Sequence, residues 1–387
     1  AKGGFSNDKA EKITQWDPFD QNTHTDWFDP EWMFGVTDGF DIVIANPPYV
    51  IYNIDKKLKD NYRKNSKAIN YKYKGIKNQF NLAAFFLEKS YELLNKEGIT
   101  TMIVPHSISR VSGYHYIRDY LDKNTDVFHI VDEDGQFESV TLEMITIFYK
   151  KHTPSTDFIN CISKRNQKSY NVPKQICREE KYYILYFEEL FLKIKNKGEK
   201  ILNGYRGYEV NSCDLNNESK TMYLDGKNIQ KYCIIPLRHQ RYINKKQYGL
   251  QLNKFEIVIT QFGTLPRGTI IDTDEMVPSG GTVVVTFDRN KFNINYILSI
   301  LNSNLVKYFF YRYIINCADL TIHLDGHYIN KIPIPKISES NQKPFIDLVD
   351  KILAAKKDNP HSNTTEWEKE IDQLVYQLYE LTDAEIA

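Results

Sequence analysis

Few cysteines, no long apolar stretch and no excess of charge characterise this 387-residue sequence. No apolar run approaches the 18 residues of a membrane-spanning helix and no signal-peptide pattern is present, so we expect no membrane segment. The cysteines are odd in number and form no C-x-x-C pair, which argues against a zinc site or a disulfide framework and for reduced thiols in the cytoplasm. They are Cys161, Cys177, Cys213, Cys233 and Cys317.

The histidines do not indicate a metal site either. His323 and His327 have the i, i+4 spacing of two ligands on one helix. Gly326 lies between them and favours a turn. We therefore predict that the chain holds no metal ion.

The charge is balanced overall but uneven along the chain. Fifty Lys and Arg residues are matched by fifty Asp and Glu residues, which is mild evidence against a nucleic-acid binder. Between residues 51 and 78, however, nine basic residues meet two aspartates, and four tyrosines lie among them. Such a stretch favours a flexible arm that contacts phosphates and stacks on bases, with a solvated lysine-rich loop as the alternative. The predicted DNA contacts here are Lys56, Lys57, Arg63, Lys72 and Lys74.

The most informative segment is FDIVIANPPY, residues 40–49. A β-branched apolar run predicts a strand, which ends at Asn46 because consecutive prolines cannot continue a strand ladder. Open α/β sheets bind ligands at such strand ends. The Asn46 side-chain oxygen and the Pro47 carbonyl can each accept one N–H of an exocyclic amino group, and Tyr49 can stack on its ring. A proline turn after a buried strand is the alternative.

The quartet NPPY resembles the catalytic motif of S-adenosylmethionine-dependent amino-methyltransferases, which alkylate a poor nucleophile. The amino nitrogen of adenine has a lone pair that is delocalised into the ring. Holding both of its hydrogens draws the nitrogen toward a tetrahedral shape and aims the lone pair at a sulfonium methyl group. The chemistry needs positioning and electrostatic stabilisation, with no strong base.

Helix and strand patterns alternate after this segment. Helices are predicted near 81–94 and 114–121 and strands near 99–104, 127–131 and 144–149, which implies a parallel sheet with right-handed crossovers. Beyond residue 155, short strand-like runs lie between turns. One long helix is predicted near 294–314 and two more near 342–357 and 365–381.

The first 150 residues resemble the C-terminal half of a γ-class DNA adenine-N6 methyltransferase, of the TaqI type and its type IIG restriction–modification relatives. Residues 160–387 resemble, more loosely, the specificity domain of that family. The matching segments are WFDP (27–30), WMFG (32–35), FDIVIANPPY, NLAAFFLEKSYELLNKEG (81–98), TTMIVPHS (100–107), GQFE (135–138), LDGKNIQKY (224–232), ILNS (300–303), IPIP (332–335) and LVYQLYELT (374–382).

This resemblance implies the α/β fold class. The expected architecture is a partial class I methyltransferase sheet, Rossmann-like and made of its later strands, followed by an α+β target-recognition domain and C-terminal helices. The expected domains are residues 1–155 for the methyltransferase portion, 156–340 for target recognition and 341–387 for the helical segment.

The resemblance also implies roles for individual residues. Asn46, Pro47, Pro48 and Tyr49 would form the catalytic motif that holds an adenine flipped out of the duplex. Tyr49 and Phe137 would stack on the two faces of that base. Phe86 and Pro47 would contact the cofactor, S-adenosyl-L-methionine. Read locally, Phe137 and Phe86 could instead be core residues.

Sequence specificity is expected in the second half of the chain. Arg238, Arg241, Arg267 and Gln261 lie in turn-rich segments from which they could reach base edges of double-stranded DNA. Each taken alone is more typical of a phosphate contact or a solvated surface group.

One departure from the family pattern is serious. The glycine-rich loop and the acidic residue that bind the cofactor upstream of such a strand are missing, since only 39 residues precede Phe40. We therefore expect a portion of a longer enzyme, whose N-terminal remainder would hold most of the cofactor pocket and any nuclease domain. The isolated chain is expected to be inactive, and we assign no endonuclease site within it.

Two other classes of function remain open. An NPPY motif also serves enzymes that methylate a glutamine amide in proteins or guanine amino groups in ribosomal RNA, although these typically end soon after the last strand. The missing cofactor loop also makes a non-catalytic DNA-recognition fragment credible. The roughly 230 additional residues favour DNA as the substrate.

Overall fold

The computed structural model describes residues 11, 30–49, 56–67, 81–134, 142–151, 156–211, 215–216, 220–244, 256–263, 265–271, 273–319 and 322–387. Among these residues, none of the helices combines the length and the apolar character that crossing a membrane requires.

A six-stranded sheet organises the first half of the chain. Its strands β1 to β6 are Phe40–Ala45, Leu94–Pro105, Asp126–Asp132, Met144–Lys150, Phe158–Ser163 and Lys168–Pro173. Their order across the sheet is β1-β2-β4-β3-β5-β6. Strands β1, β2, β3 and β5 run in one direction, whereas β4 and β6 run in the other. The sheet confirms the predicted α/β class.

The prediction of a purely parallel sheet is wrong. Strand β4 lies between β2 and β3 and is antiparallel to both. Only the eleven residues 133–143 separate β3 from β4, which is fewer than the dozen or more that a crossover to a parallel neighbour needs. The sheet also continues through β5 and β6, past the expected domain boundary at residue 155.

The helices of this half flank the sheet. They are α1 to α7: Pro30–Phe34, Lys56–Asn65, Leu82–Leu93, Ser107–Arg110, His115–Asn124, Lys174–Glu180 and Glu189–Lys197. Helix α3 begins at Leu82 because the Asn81 side chain accepts the Ala83 N–H at 2.9 Å and caps the first turn. It packs against β1, β2 and α5.

Short strands dominate the second half. Strands β7 to β18 are Asn203–Arg206, Leu215–Asn216, Thr221–Leu224, Ile229–Gln230, Cys233–Ile234, Arg241–Ile243, Glu256–Thr260, Phe262–Gly263, Gly268–Ile271, Met276–Pro278, Thr282–Thr286 and Ile322–His323. They form two four-stranded sheets, β16-β9-β12-β8 and β15-β13-β17-β7, and two strand pairs, β10-β11 and β14-β18.

The C-terminal part of the chain is mostly helical. Its helices are α8 to α13: Ile294–Asn302, Asn304–Phe309, Gly326–Ile329, Glu339–Asp358, Thr365–Leu378 and Asp383–Ile386. The predicted long helix near 294–314 is broken at Ser303, whose extended backbone ends α8 and whose side chain accepts the Val306 N–H to cap α9. A π-helical turn, Phe310–Ile314, follows α9.

Buried hydrogen bonds join the two halves. The Tyr182 hydroxyl of the first half donates to the Tyr313 carbonyl of the second half at 2.8 Å. Asn316, which is fully buried, donates to the Tyr183 carbonyl at 2.7 Å and accepts the Leu185 N–H at 3.0 Å. One continuous apolar core extends across this junction. The second half is thus packed against the half of the chain that contains the NPPY motif.

Candidate active site

The NPPY motif lies at the carboxyl end of β1, beside the end of β2. Ala45 is paired with Met102 in the last step of this parallel ladder. The ladder stops there because Pro47 and Pro48 have no N–H to donate. Pro47 is buried, Asn46 and Pro48 are exposed, and Tyr49 is half-buried. The sequence correctly placed the motif at a strand end, where a ligand can reach it.

Tyr49 fixes the orientation of Asn46. Its hydroxyl donates to the Asn46 side-chain oxygen and lies 3.3 Å from the Ile103 carbonyl in β2. Burial raises the pKa of Tyr49, so the phenol stays protonated and keeps its donor. The Asn46 oxygen has a second lone pair, which leaves it able to accept a hydrogen from a ligand.

Phe86 is exposed on α3. About 40% of its surface is accessible, whereas its neighbours Phe85 and Leu87 are buried. The alternative of a core role for Phe86 therefore does not hold. Phe86 thus offers exposed apolar surface on a helix that packs against β1. The other predicted stacking residue, Phe137, lies outside the described residues.

The lysine-rich segment forms a docked helix over part of its length. The expected flexible arm is wrong for residues 56–65, which form α2 with Lys56, Lys57 and Arg63 exposed. The Tyr62 ring contacts that of Phe85 at 5.5 Å between centroids. Lys72 and Lys74 lie outside the described residues.

A buried carboxylate anchors the end of this helix. Glu88 of α3 accepts a hydrogen bond from the Ser66 hydroxyl at 2.6 Å and from the Lys67 N–H at 2.5 Å. Lys67 also pairs with Glu92 at 2.7 Å. Sequence reasoning missed Glu88. Its signal was an acidic residue on the apolar side of a predicted helix, next to Leu87.

The four predicted base-reading residues differ in their surroundings. Arg238 and Arg267 are exposed. Arg241 is exposed too, but it pairs with Asp225 at 2.9 Å and lies over the ring of Tyr223. Gln261 is buried and donates to Asp325 at 3.1 Å, so reading a base edge is excluded for it in this conformation.

Sequence reasoning also missed charged contacts made by Asp134 and Glu143, which flank in sequence the segment that contains Phe137. Arg165, in the turn between β5 and β6, pairs with Asp134 at 3.4 Å and with Asp319. The Asp319 N–H donates to Glu143. Asp134 and Glu143 precede and follow the segment, so these contacts tie both of its ends to later parts of the chain. No local pattern could predict contacts between residues so far apart in sequence.

His106 follows the end of β2 and is buried. Burial, with the positive charges of Arg110 and Arg165, holds its pKa well below the ordinary value. Arg110 donates from Nε to His106 Nδ1 at 3.4 Å. The imidazole is therefore neutral in the folded protein. Among the described residues, no group of His, Cys, Asp and Glu side chains is arranged to hold a metal ion.

Two regions of the chain match known protein families. Residues 3–138 match the Eco57I restriction-modification methylase family. Residues 221–334 match the TaqI-like C-terminal specificity domain. The first region thus resembles a restriction-modification methylase and the second a TaqI-like specificity domain, which confirms the resemblance drawn from the motifs.

One solved structure has a similar fold, and a second is a weaker match. The chain is similar to the type IIL restriction-modification enzyme MmeI in complex with DNA, with a TM-score of 0.59 and 11% identity over 89% of this chain and 55% of that chain. It also matches the type IIG restriction endonuclease BpuSI, with a TM-score of 0.36 and 14% identity over 88% of this chain and 54% of that chain. Only the first similarity is high enough to establish a shared fold.

The chain spans about half the length of these two enzymes. A search of curated proteins found no significant match.

Proposed function

We propose that residues 40–49 form the base-holding part of an active site that methylates the N6 amino group of an adenine in a specific duplex DNA sequence. One observation carries the proposal. Asn46 is exposed at the end of β1, its side-chain oxygen is oriented by Tyr49, and the carbonyl of the rigid Pro47 follows directly. Two fixed acceptors at a strand end match the two hydrogens of an exocyclic amino group.

The residues would act by positioning. The Asn46 oxygen and the Pro47 carbonyl accept the two amino hydrogens, which localises the nitrogen lone pair and directs it away from the motif. Tyr49 stacks on the base while its hydroxyl holds Asn46. Pro48 keeps the backbone after Pro47 rigid. No proton acceptor of raised basicity is needed.

The residues present fit part of a cofactor site. When bound, S-adenosyl-L-methionine supplies an electrophilic methyl group. The exposed ring of Phe86 offers stacking surface for an adenine moiety, and the buried Pro47 offers apolar contact next to the reacting nitrogen. The described residues contain no glycine-rich loop that opens a helix, so we propose that the rest of the pocket comes from another part of the polypeptide.

The edge of β1 supports this view. Ile42 and Ile44 are 61% and 75% exposed, and the described residues pair with β1 on one side only. Because side chains two residues apart lie on the same face of a strand, β1 leaves one apolar face exposed as well as one edge, and proteins normally cover both. We propose that additional helices and strands of the same restriction–modification polypeptide cover them. The four described cysteines are free and buried, which supports a cytoplasmic location.

The DNA would lie against both halves of the chain. Lys56, Lys57 and Arg63 on α2 are exposed and would contact phosphates, as would Lys72 and Lys74 further along. Arg238, Arg241 and Arg267 would contact the recognised sequence. Flipping the adenine costs a few kcal/mol, which stacking against Tyr49 and Phe137 would offset.

The test is Asn46→Ala in the complete polypeptide. We expect methyl transfer to duplex DNA to fall by about 10²-fold or more while duplex affinity stays within about threefold, because only the developing charge on the amino group loses its partner. Asn290→Ala, at an exposed turn, is the matched control and should keep full activity. Full methylation by Asn46→Ala, or methylation of ribosomal RNA or of a protein glutamine in place of DNA, would refute the proposal.

A further inference from the structure

Two connections of the first half of the chain lie at the edge of the six-stranded sheet that carries the NPPY motif. The connection from β3 to β4 begins and ends there, because Asp132 at the end of β3 pairs with Ile145 at the start of β4. The turn between β5 and β6 lies beside it, since Ser163 at the end of β5 is level with Asp132. The start of β4 in turn lies next to the end of β2, and β2 is the neighbour of β1.

Arg165, in the turn between β5 and β6, links these connections to the second half of the chain. Its guanidinium pairs with Asp134, at the start of the β3–β4 connection, at 3.4 Å, and with Asp319 of the second half. The Asp319 N–H donates to Glu143 at the end of that connection. The Tyr311 hydroxyl donates to the Asp319 carboxylate at 2.9 Å. A continuous series of contacts therefore joins the two ends of the β3–β4 connection through Arg165 and Asp319.

The single guanidinium of Arg165 lies among three carboxylates. Besides Asp134 and Asp319, it lies 3.9 Å from the carboxylate of Asp132, which is buried. The Arg165 side chain is only 23% exposed, so water and salt screen these pairs less than they screen pairs on an open surface. Without Arg165 the three carboxylates would repel one another and push the segments that carry them apart. This network therefore differs from an isolated surface ion pair, which contributes little.

The backbone of the segments that meet at Arg165 is strained. Among the described residues, seven other than glycine have a positive φ, and four of these seven lie in the β3–β4 connection, in the β5–β6 turn or just before Asp319. They are Asp134 (51°), Gln167 (56°), Asn316 (53°) and Cys317 (54°). Such conformations persist only where the surrounding structure enforces them, and they concentrate at functional sites. The strain is thus a second observation, independent of the charges, that marks this junction as functional.

We propose that Arg165 is a positioning residue for methyl transfer, an inference that deepens the proposed function and rests on it. Arg165 fixes both ends of the connection that carries Phe137, the residue proposed to stack on the flipped adenine. Phe137 follows Asp134 by three residues, so its backbone can lie no more than about 11 Å from the position that Arg165 fixes. Through Asp319 the same contacts join the active-site edge of the sheet to the region that matches the specificity domain.

The first arm of the test examines the contacts in the 387-residue chain. Amide hydrogen exchange in residues 132–134 and 142–145 should accelerate about tenfold in Arg165→Gln, because both ends of the connection lose their anchor. Arg178→Gln is the matched control, since Arg178 pairs with Asp122 at 2.9 Å in a different part of the chain. It should exchange in these residues as the wild type does. Exchange equal to that of the wild type in Arg165→Gln overturns the inference.

The second arm tests positioning in the complete polypeptide. Single-turnover methyl transfer should slow about tenfold in Arg165→Gln, while duplex affinity stays within about threefold of the wild type. With 2-aminopurine in place of the target adenine, fluorescence reports the flipped base, and the flipped fraction should fall in the same variant. A residue that only stabilised the fold would change neither quantity in the folded protein, and Arg178→Gln should change neither.

Asp134→Asn removes a partner of Arg165. Added to Arg165→Gln, it should slow the reaction no further, because both substitutions break the same interaction. It also serves as the single variant should Arg165→Gln fail to fold. Multiplied effects in the double variant, or a wild-type rate in the folded single variants, would overturn the positioning role. A failure of the proposed reaction would show in the wild type itself, so the two failures are distinguishable.

Discussion

The Tyr49 hydroxyl donates a hydrogen bond to the side-chain oxygen of Asn46, three residues before it. This contact orients the oxygen before any base arrives. It also gives Tyr49 two separable tasks, because the ring would stack on the base whereas the hydroxyl holds the asparagine. The site is therefore largely pre-formed, and substitutions at Tyr49 can separate stacking from orientation.

Tyr49→Phe keeps the ring and removes the hydroxyl. We expect the rate of methyl transfer in the complete polypeptide to fall by up to about tenfold, because one hydrogen bond contributes about 0.5–1.5 kcal/mol. Duplex affinity should not change. Tyr49→Ala loses the stacking as well and should reduce the rate further. Single-turnover kinetics of both variants measure this, and equal rates for Tyr49→Phe and Tyr49→Ala would contradict a separate role for the hydroxyl.

Glu88 should control the order of the basic helix α2. Glu88→Gln weakens the bonds from Ser66 and Lys67, and hydrogen bonds to a charged acceptor are worth about 1.5–3 kcal/mol. We expect amide hydrogen exchange in residues 61–67 to accelerate about tenfold or more, with a loss of duplex affinity.

Glu92→Gln is the control for this effect. Glu92 pairs with the exposed side chains of Lys67 and Lys89 and should contribute little. Glu88 would not anchor α2 if amide hydrogen exchange in residues 61–67 were the same in Glu88→Gln and the wild type.

Substitution of the exposed isoleucines of β1 should have a small effect on stability in this chain and a larger effect in a longer polypeptide. Replacing Ile42 and Ile44 with serine should change the free energy of unfolding of this chain by no more than about 0.5 kcal/mol per site and should reduce its self-association. In a longer polypeptide that covers the edge, the same substitutions should destabilise the protein by about 1 kcal/mol or more each. Denaturant titrations of both forms test this, and equal small effects in both would mean that the edge stays uncovered.

His106 should make stability depend on pH. Its folded pKa lies well below the ordinary 6.5, so the unfolded chain binds a proton more readily than the folded one. The contribution is therefore fully present above pH 6.5 and is lost as the pH falls from 6.5 toward the folded pKa. His106→Gln should flatten the curve of unfolding free energy in this range, whereas His361→Gln, at an exposed turn, should not. An unchanged curve for His106→Gln would contradict neutral burial.

Local patterns predicted the parts of the fold that depend on local causes. The strand before Asn46 and helix α3 follow from β-branched and helical periodicity, and the stop at Pro47 follows from the missing N–H groups. The direction of β4 could have been inferred from the short connection after β3. The break at Ser303 was harder, because the apolar pattern continues through it and only the capping hydroxyl marks the new helix.

Contacts between distant residues could not be predicted. The packing of α2 against α3 depends on Glu88, some twenty positions later in the sequence. Arg165 forms an ion pair with Asp319, which is still further away in the sequence. Gln261 is buried and donates a hydrogen bond to Asp325, and a turn-rich segment reveals neither. Motifs located the candidate chemistry, whereas the charged contacts that hold it in place required the structure.

The most direct test of the account is the identity of the methylated base. The complete polypeptide is incubated with duplex DNA and S-adenosyl-L-methionine carrying a labelled methyl group, and the DNA is then digested to nucleosides. The account predicts label in N6-methyladenine at one recognised sequence, lost with Asn46→Ala. Label in a methylated cytosine, or N6-methyladenine formed equally by Asn46→Ala, would contradict it.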